Sequence, residues 1–267
     1  MSNIKDNKIS SFSEAVLWYF PRGIIHHSSL FTGIWVVAKK DFREMINSPI
    51  AYVLGVIFML VTGYFFAQPL FVMKQANIAP LMDIVPMILV FLVPAVTMRS
   101  FADEHKSGTF EILATLPLNT YEIVIGKYLA CVALISSVFM LTFIYPVMLE
   151  ILGEPDWGAV FGAYFGHIFL IAALASIGIF ISSLTRNQVI AYLGAWMIGF
   201  IFFMAGKTLM FFPYPISEIL NFIGFDAHME NISRGVLDSR DLIYFLSLAA
   251  LFLCLPLIKI EAKLRAK

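Results

Sequence analysis

The chain has 267 residues, 18 basic and 18 acidic side chains, 60% hydrophobic residues and only 13% charged ones, where a soluble domain carries roughly 25% charged residues. Together with a mean hydropathy of +0.86, this reads as an integral membrane protein, and zero net charge excludes a nucleic-acid binder that works by overall basic excess. Cys131 and Cys254 both lie inside apolar runs, which argues against a disulfide framework.

Residues 1–32 form an N-terminal cytoplasmic or interfacial extension, and residues 33–267 the transmembrane domain. Glu14 and Pro21 interrupt the one early apolar run, EAVLWYFPRGII, and no small-x-small cleavage site follows it. The extension is therefore expected to stay on the mature protein and not to act as a cleaved signal. His26-His27 lacks further ligands at metal spacing, so no metal site is expected there.

GIWVVAKKDFREMINSP, residues 33–49, reads as an amphipathic helix in the cytoplasmic interface. Ile34, Ala38, Phe42 and Met45 follow one stripe, Lys39, Lys40, Arg43 and Glu44 lie off it, and Trp35 suits the headgroup layer. A simple basic anchor accounts for these residues; a contact with a cytoplasmic partner is the functional alternative.

Six stretches have the roughly 20 apolar residues that a spanning helix needs: 50–73, 81–98, 123–149, 157–184, 189–206 and 242–258. The second carries Pro86 and Pro94, which predicts a kink or a broken helix. Counting loops alternately, 14 of the 18 Lys and Arg fall on the side of the N-terminus while the acids divide nine and nine. Both termini are thus expected to be cytoplasmic.

The loop after the second span, RSFADEHKSGTFEILATLPL (residues 99–118), is strongly polar between two apolar runs. Arg99 with Asp103 and Asp103 with Lys106 have the spacing to pair along a helix leaving the bilayer. Ser107-Gly108 should break that helix. Thr109 then caps a short one with Glu111 in its first turn, and Pro117 stops it. Phe110, Leu113 and Ala114 share a face of this piece. Two readings fit: a docking element for a cytoplasmic partner, or a solvated loop on the membrane surface.

Farther along, GAVFGAYFG places Gly158, Gly162 and Gly166 at small-xxx-small spacing, a packing face open either to the same chain or to a second copy. His167 follows at depth; an imidazole bonded to a carbonyl of a neighbouring helix is the expected arrangement, although an intramembrane ionisable group also invites a functional reading. MAGKT, residues 204–208, imitates the end of a phosphate loop, but Ile201 stands where that loop needs glycine. The chain is not expected to bind ATP. Residues 207–241 are too apolar for a free loop and should form short helices at the outer leaflet, either as an exit gate or as a packed cap.

RSFADEHKSGTFEILATLPLNTYEIVIGKYLA, residues 99–130, resembles the coupling segment of the ABC-2 type permeases, the membrane subunits of ATP-binding-cassette exporters. KKDFREMINSPIAYVLG, LGEPDWGAVFGAYFG, SSLTRNQVIAY and ISRGVLDSRDLIYFLSL resemble the same family in order, closest to the gliding-motility and nitrous-oxide-reductase-maturation branch. The likeness covers roughly residues 35–259; the N-terminal extension is not matched, and is either an extra interfacial helix or a contact for another subunit.

The resemblance implies an all-α, type V exporter-like fold of six spans in the bacterial inner membrane. It also implies a dimer of permease chains, identical or related, served by two separate ATPase subunits that hold ATP and Mg, and leaves room for an extracytoplasmic partner. The coupling contact carries over to Glu104, Gly108, Thr109, Phe110, Glu111, Leu113, Leu116 and Pro117, with the interfacial helix (Trp35, Lys39, Lys40, Arg43) beside it. Transport is the leading function. A membrane-embedded enzyme lacks paired acids or a nucleophile with a base in the spans. A membrane anchor through which an ATPase does mechanical work on another protein is the third reading.

Overall fold

The computed structural model describes residues 30–73, 77–109, 119–153, 155–208, 213–214, 216–236 and 238–265. All regular structure among them is helical, and six helices are long and apolar enough to cross a membrane: Pro49–Phe71, Ala79–Ser107, Thr120–Ile151, Trp157–Leu184, Gln188–Lys207 and Ser239–Ala262. Residues 1–29, most of the N-terminal extension, lie outside the described residues.

Helix α1 (Leu30–Ile46) precedes the first span and lies against the start of the third. Span one is α2 (Pro49–Gln68), begun by a proline whose missing N–H costs nothing in a first turn and continued by a π-helical turn, Pro69–Met73. Span two comprises α3 (Ala79–Thr97) and α4 (Arg99–Ser107). Neither proline ends the helix it lies in; the span divides instead at Met98. Pro86 and Pro94 sit inside α3, Met98 between the two helices keeps right-handed helical angles, and its N–H still reaches the Pro94 carbonyl at 2.9 Å. The span runs 29 residues. Ser182 explains the continuity: its Oγ accepts from the N–H groups of Phe101 and Ala102 (3.0 and 3.1 Å) and donates to the Met98 carbonyl (3.1 Å). The backbone groups at the junction are thereby satisfied inside the protein, as low-dielectric surroundings require.

Span three is α5 (Thr120–Met140), a 3-10 turn (Leu141–Phe143) and α6 (Ile144–Leu152). Span four is α7 (Trp157–Leu184), capped by the Asp156 carboxylate, which accepts from the Gly158 and Ala159 N–H groups. Span five is α8 (Gln188–Lys207), capped by Asn187. Two short helices follow, α9 (Ile216–Ile223) and α10 (Phe225–Ser233), then α11 (Ser239–Arg265).

Spans two and four form the centre, 61% and 67% buried, whereas spans one, five and six are only 22–28% buried. The outer three show continuous apolar faces, Tyr52, Val56 and Leu60 on α2 and Ile190, Met197 and Ile201 on α8. Such faces suit lipid tails or a second membrane chain.

At the end opposite α1, α9 and α10 form a cap in which α10 is packed, with Phe225, Met229 and Ile232 buried, while α9 leaves Ile219 and Phe222 exposed. His228 Nδ1 is 2.7 Å from Asp241 Oδ1 on α11, and its ring stacks on Tyr244 at 3.9 Å. Of the glycine triplet, Gly162 and Gly166 are packing positions within the chain itself: a Cβ on Gly162 would stand 2.2 Å from the Gly235 carbonyl oxygen, and one on Gly166 2.1 Å from Ile232 Cγ2. Their face is taken by the cap, so a second copy does not meet it there. Gly158 has no such neighbour; a Cβ there meets only Asp156 Oδ1 at 3.2 Å. His167 Nε2 lies 3.1 Å from the Met82 carbonyl on α3 and its Nδ1 2.7 Å from the Ala163 carbonyl, the carbonyl-bonded arrangement expected of it. Lys207 of the MAGKT stretch ends α8 and pairs with Asp226 at 2.8 Å.

Candidate functional site at the α1 end

Lys127 sits about two turns into α5 with apolar neighbours in sequence on both sides, and it is 3% exposed. A buried ammonium needs partners, and two reach it from separate elements. Its Nζ donates to Asp41 Oδ2 of α1 at 2.8 Å and to Glu104 Oε1 of α4 at 2.6 Å, with the Phe101 ring 5.4 Å away. Asp41 in turn takes Lys40 Nζ at 3.2 Å. The result is a line of alternating charge, Lys40, Asp41, Lys127, Glu104, that joins α1, α4 and α5.

Burial by itself pushes the Asp41 carboxyl up, but the Lys127 and Lys40 ammonium groups more than offset it and hold its pKa below 3.8. A carboxyl depressed in the fold stabilises it at every pH above the unfolded value and stops doing so as pH falls through the lower folded value. Melting temperature should therefore be insensitive to this group at neutral pH and fall only below 3.8. The Asp41→Asn variant should start lower and fall less steeply when melting is followed from about pH 7 to about pH 3; parallel curves would show that the pair does not form.

The close fit of α1 on α5 comes from small residues. A Cβ on Gly126 would stand 2.7 Å from Val37 Cβ, and one on Gly33 2.7 Å from Glu122 Oε1. Glu122 is itself engaged, accepting from the Asn119 N–H at 2.8 Å as α5 begins. Both feet of the 99–118 loop are thus fastened: the outgoing foot through Glu104 to Lys127, the returning foot through Glu122 against Gly33.

Gly108 ends α4 with φ 75°, the left-handed conformation in which glycine is at ease. Ser107 Oγ and Thr109 Oγ1 lie 2.8 Å apart just beyond. Phe110, Glu111, Leu113, Leu116 and Pro117, the remaining expected coupling residues, lie outside the described residues. The Glu104 side chain is 14% exposed and turns inward onto Lys127. The expected pairing of Arg99 and Lys106 with Asp103 is absent among the described residues; Asp103 accepts from the Gln188 amide of α8 instead.

On α1, Trp35 is 67% exposed and Lys39 and Arg43 are exposed, as an interfacial face requires, while Lys40 is half-buried and paired with Asp41 and Glu44. The buried stripe is Gly33, Val37, Ala38 and Asp41, turned slightly from the one expected. Asp41, Lys127 and Gly126 were not anticipated. Lys127 carries its own signal, a lone cation a few residues inside an apolar run.

A six-span helical bundle with a flanking helix tied to the second and third spans by buried charge is consistent with the membrane fold of a permease. Residues 35–258 match the family described as "ABC-2 family transporter protein", and the chain belongs to that family. A relative from Escherichia coli strain K12, described as "Probable multidrug ABC transporter permease YbhR", is 31% identical over 160 residues, 58% of this chain and 42% of that protein. Its counterpart in Escherichia coli O157:H7 gives the same figures. The matched region thus spans less than half the length of these relatives.

Proposed function

We propose that this chain is the membrane subunit of an ATP-driven exporter, and that a separate ATPase, the holder of ATP and Mg, docks on the 99–118 loop and the exposed face of α1. The observation that carries this reading is the Lys40, Asp41, Lys127, Glu104 line. A solvated surface loop has no need of a buried ion cluster, which costs several kcal/mol per ion in desolvation before its pairing offsets it. A loop that must pass force to the spans needs a stiff foot, and this cluster supplies one by joining α1, α4 and α5.

On this reading the α1 end faces the cytoplasm of a bacterial inner membrane, as the excess of Lys and Arg on that side supports. A second permease chain, a copy or a relative, would complete the complex. The segments quoted above support placement near the gliding-motility and nitrous-oxide-reductase-maturation branch, and the likeness to a probable multidrug permease makes apolar drug-like compounds the first cargo to test.

Affinity purification from the native membrane should recover a phosphate-loop ATPase near one-to-one. Glu111→Lys, or Phe110→Ala with Leu113→Ala, should leave the spans inserted and weaken that recovery, since charge reversal and lost apolar anchors act at the contact itself. Unchanged recovery and unchanged ATPase stimulation in these variants would refute the docking assignment.

A further inference from the structure

Between the end of α1, the start of α2 and the α3–α4 junction lies a partly open cavity of about 240 Å³. Ile50, Leu54, Val96 and Leu134 give it an apolar wall, and Arg99, Glu44 and Glu104 stand among its polar residues. It is placed where spans one and two leave their apolar stretches, with Ser48 before the first and Arg99 directly after the second.

Two groups facing this cavity lack partners. Arg99 makes no hydrogen bond or ion pair with a described residue, and its buried Nε is unmatched; Asp103, one turn on, is taken by Gln188. Glu104 spends Oε1 on Lys127, and its buried Oε2 is unmatched. A cation and half a carboxylate thus share one amphipathic recess. Buried polar groups are normally satisfied, which points to a ligand bearing the complementary pair. The lining holds four acids, Asp41, Glu44, Asp103 and Glu104, against the two bases Arg99 and Lys127, so a purely anionic ligand is disfavoured.

We propose that this cavity holds the headgroup of a phospholipid carrying both a phosphate and a primary ammonium, from the leaflet at the α1 end. The phosphate accepts from the Arg99 guanidinium, a planar donor suited to it. The ammonium donates to Glu104 Oε2, and the acyl chains remain in the bilayer beside the apolar wall. The site adjoins the proposed ATPase contact and shares Glu104, Asp41 and Lys127 with the cluster behind it, but its occupancy is read on the chain alone and does not require an ATPase.

The test uses the full chain in mild detergent, with lipid adducts counted by native mass spectrometry. Phosphatidylethanolamine should bind saturably at one per chain. Phosphatidylcholine, whose quaternary nitrogen cannot donate, and phosphatidylglycerol, which has no ammonium, should both bind more weakly. Arg99→Gln should lower phosphatidylethanolamine occupancy about ten-fold, the loss expected of a charge-assisted bond. Arg99→Lys should retain part of it, and Lys39→Gln on the exposed face of α1 should change nothing.

Equal retention of all three lipids, or Arg99→Gln behaving as wild type, would overturn the proposal. So would soluble O-phosphoethanolamine displacing the lipid at matched concentration, since the site would then serve a free phosphomonoester. Should Arg99→Gln fail to fold, a headgroup photolabel on phosphatidylethanolamine decides with the wild-type chain: labelling within residues 95–104 supports the site, and labelling elsewhere refutes it.

Discussion

Lys127→Met is expected to destabilise the protein by about 3–5 kcal/mol, the cost of leaving a buried charge without its partner. The substitution nearly preserves volume and removes the one cation that reaches both Asp41 and Glu104. Asp41 keeps Lys40 at 3.2 Å, but Glu104 has no other cation in contact among the described residues. In a thermal melt of the purified protein the midpoint should drop by roughly 10 °C, given a few degrees per kcal/mol for a chain of this size.

The companion variant is Asp41→Leu, Glu104→Met and Lys127→Met together. Replacing an entire buried ion cluster by apolar groups is often neutral or stabilising, so the triple variant should regain most of the lost midpoint. If Lys127→Met melts like wild type, the cluster is not the joint inferred here. If the triple variant melts like wild type and still stimulates an ATPase normally, the cluster holds the fold without transmitting anything.

Gly162→Ala is expected to loosen the cap at the far end while Gly158→Ala is nearly silent, although the two glycines lie one turn apart on the same helix. The new Cβ at 162 would stand 2.2 Å from the Gly235 carbonyl oxygen, and backbone cannot yield as a flexible side chain can. Gly235 has φ 81° and its own missing Cβ would lie 2.2 Å from Ala159 Cα, so neither side of the contact has room. Overpacking of this kind costs about 1–3 kcal/mol or more. At 158 the nearest atom is Asp156 Oδ1 at 3.2 Å, the end of a side chain. A cysteine placed at Ile232, fully buried in the native fold, should become reactive to a thiol reagent in the 162 variant only. Equal protection in both variants would refute the proposed seam.

The apolar runs made the spans readable. The fourth was expected at 157–184 and is Trp157–Leu184, because hydropathy and a capping Asp156 mark both its start and its length. The apolar part of the second was expected to end at residue 98, with a polar helix carrying it out of the bilayer to a break at Ser107-Gly108, and α4 does end at Ser107. Its Ser100, Phe101 and Ala102 are buried against the bundle, and Ser182, more than eighty positions away, supplies the hydrogen bonds at the junction. No local signal encodes that partner.

The same limit applied to α1. Period counting put Ile34, Ala38, Phe42 and Met45 on one stripe and Lys39, Lys40, Arg43 and Glu44 off it, and it assigned Asp41 to neither. Asp41 faces inward because Lys127 is there to meet it, a pairing across 86 positions. Lys127 was legible as an anomaly, a cation inside an apolar run that must find an anion. Gly126 and Gly178 were not legible, since a lone helical glycine does not say what approaches it; a Cβ on Gly178 would stand 2.0 Å from Thr97 Oγ1. The spacing of the glycine triplet does not say which surface approaches it; Gly235 and Ile232 lie against Gly162 and Gly166.

The length of the second span has a mechanical consequence. Its 29 residues measure about 43 Å at 1.5 Å per residue, against a hydrocarbon core of about 30 Å. More than two turns therefore project beyond the oil as a handle joined to the shaft at Met98. A sideways push on Ser107 cannot be absorbed by a hinge at Met98, because Ser182 clamps that point to the fourth span. It must instead turn the central pair of helices as one body, with the clamp as fulcrum.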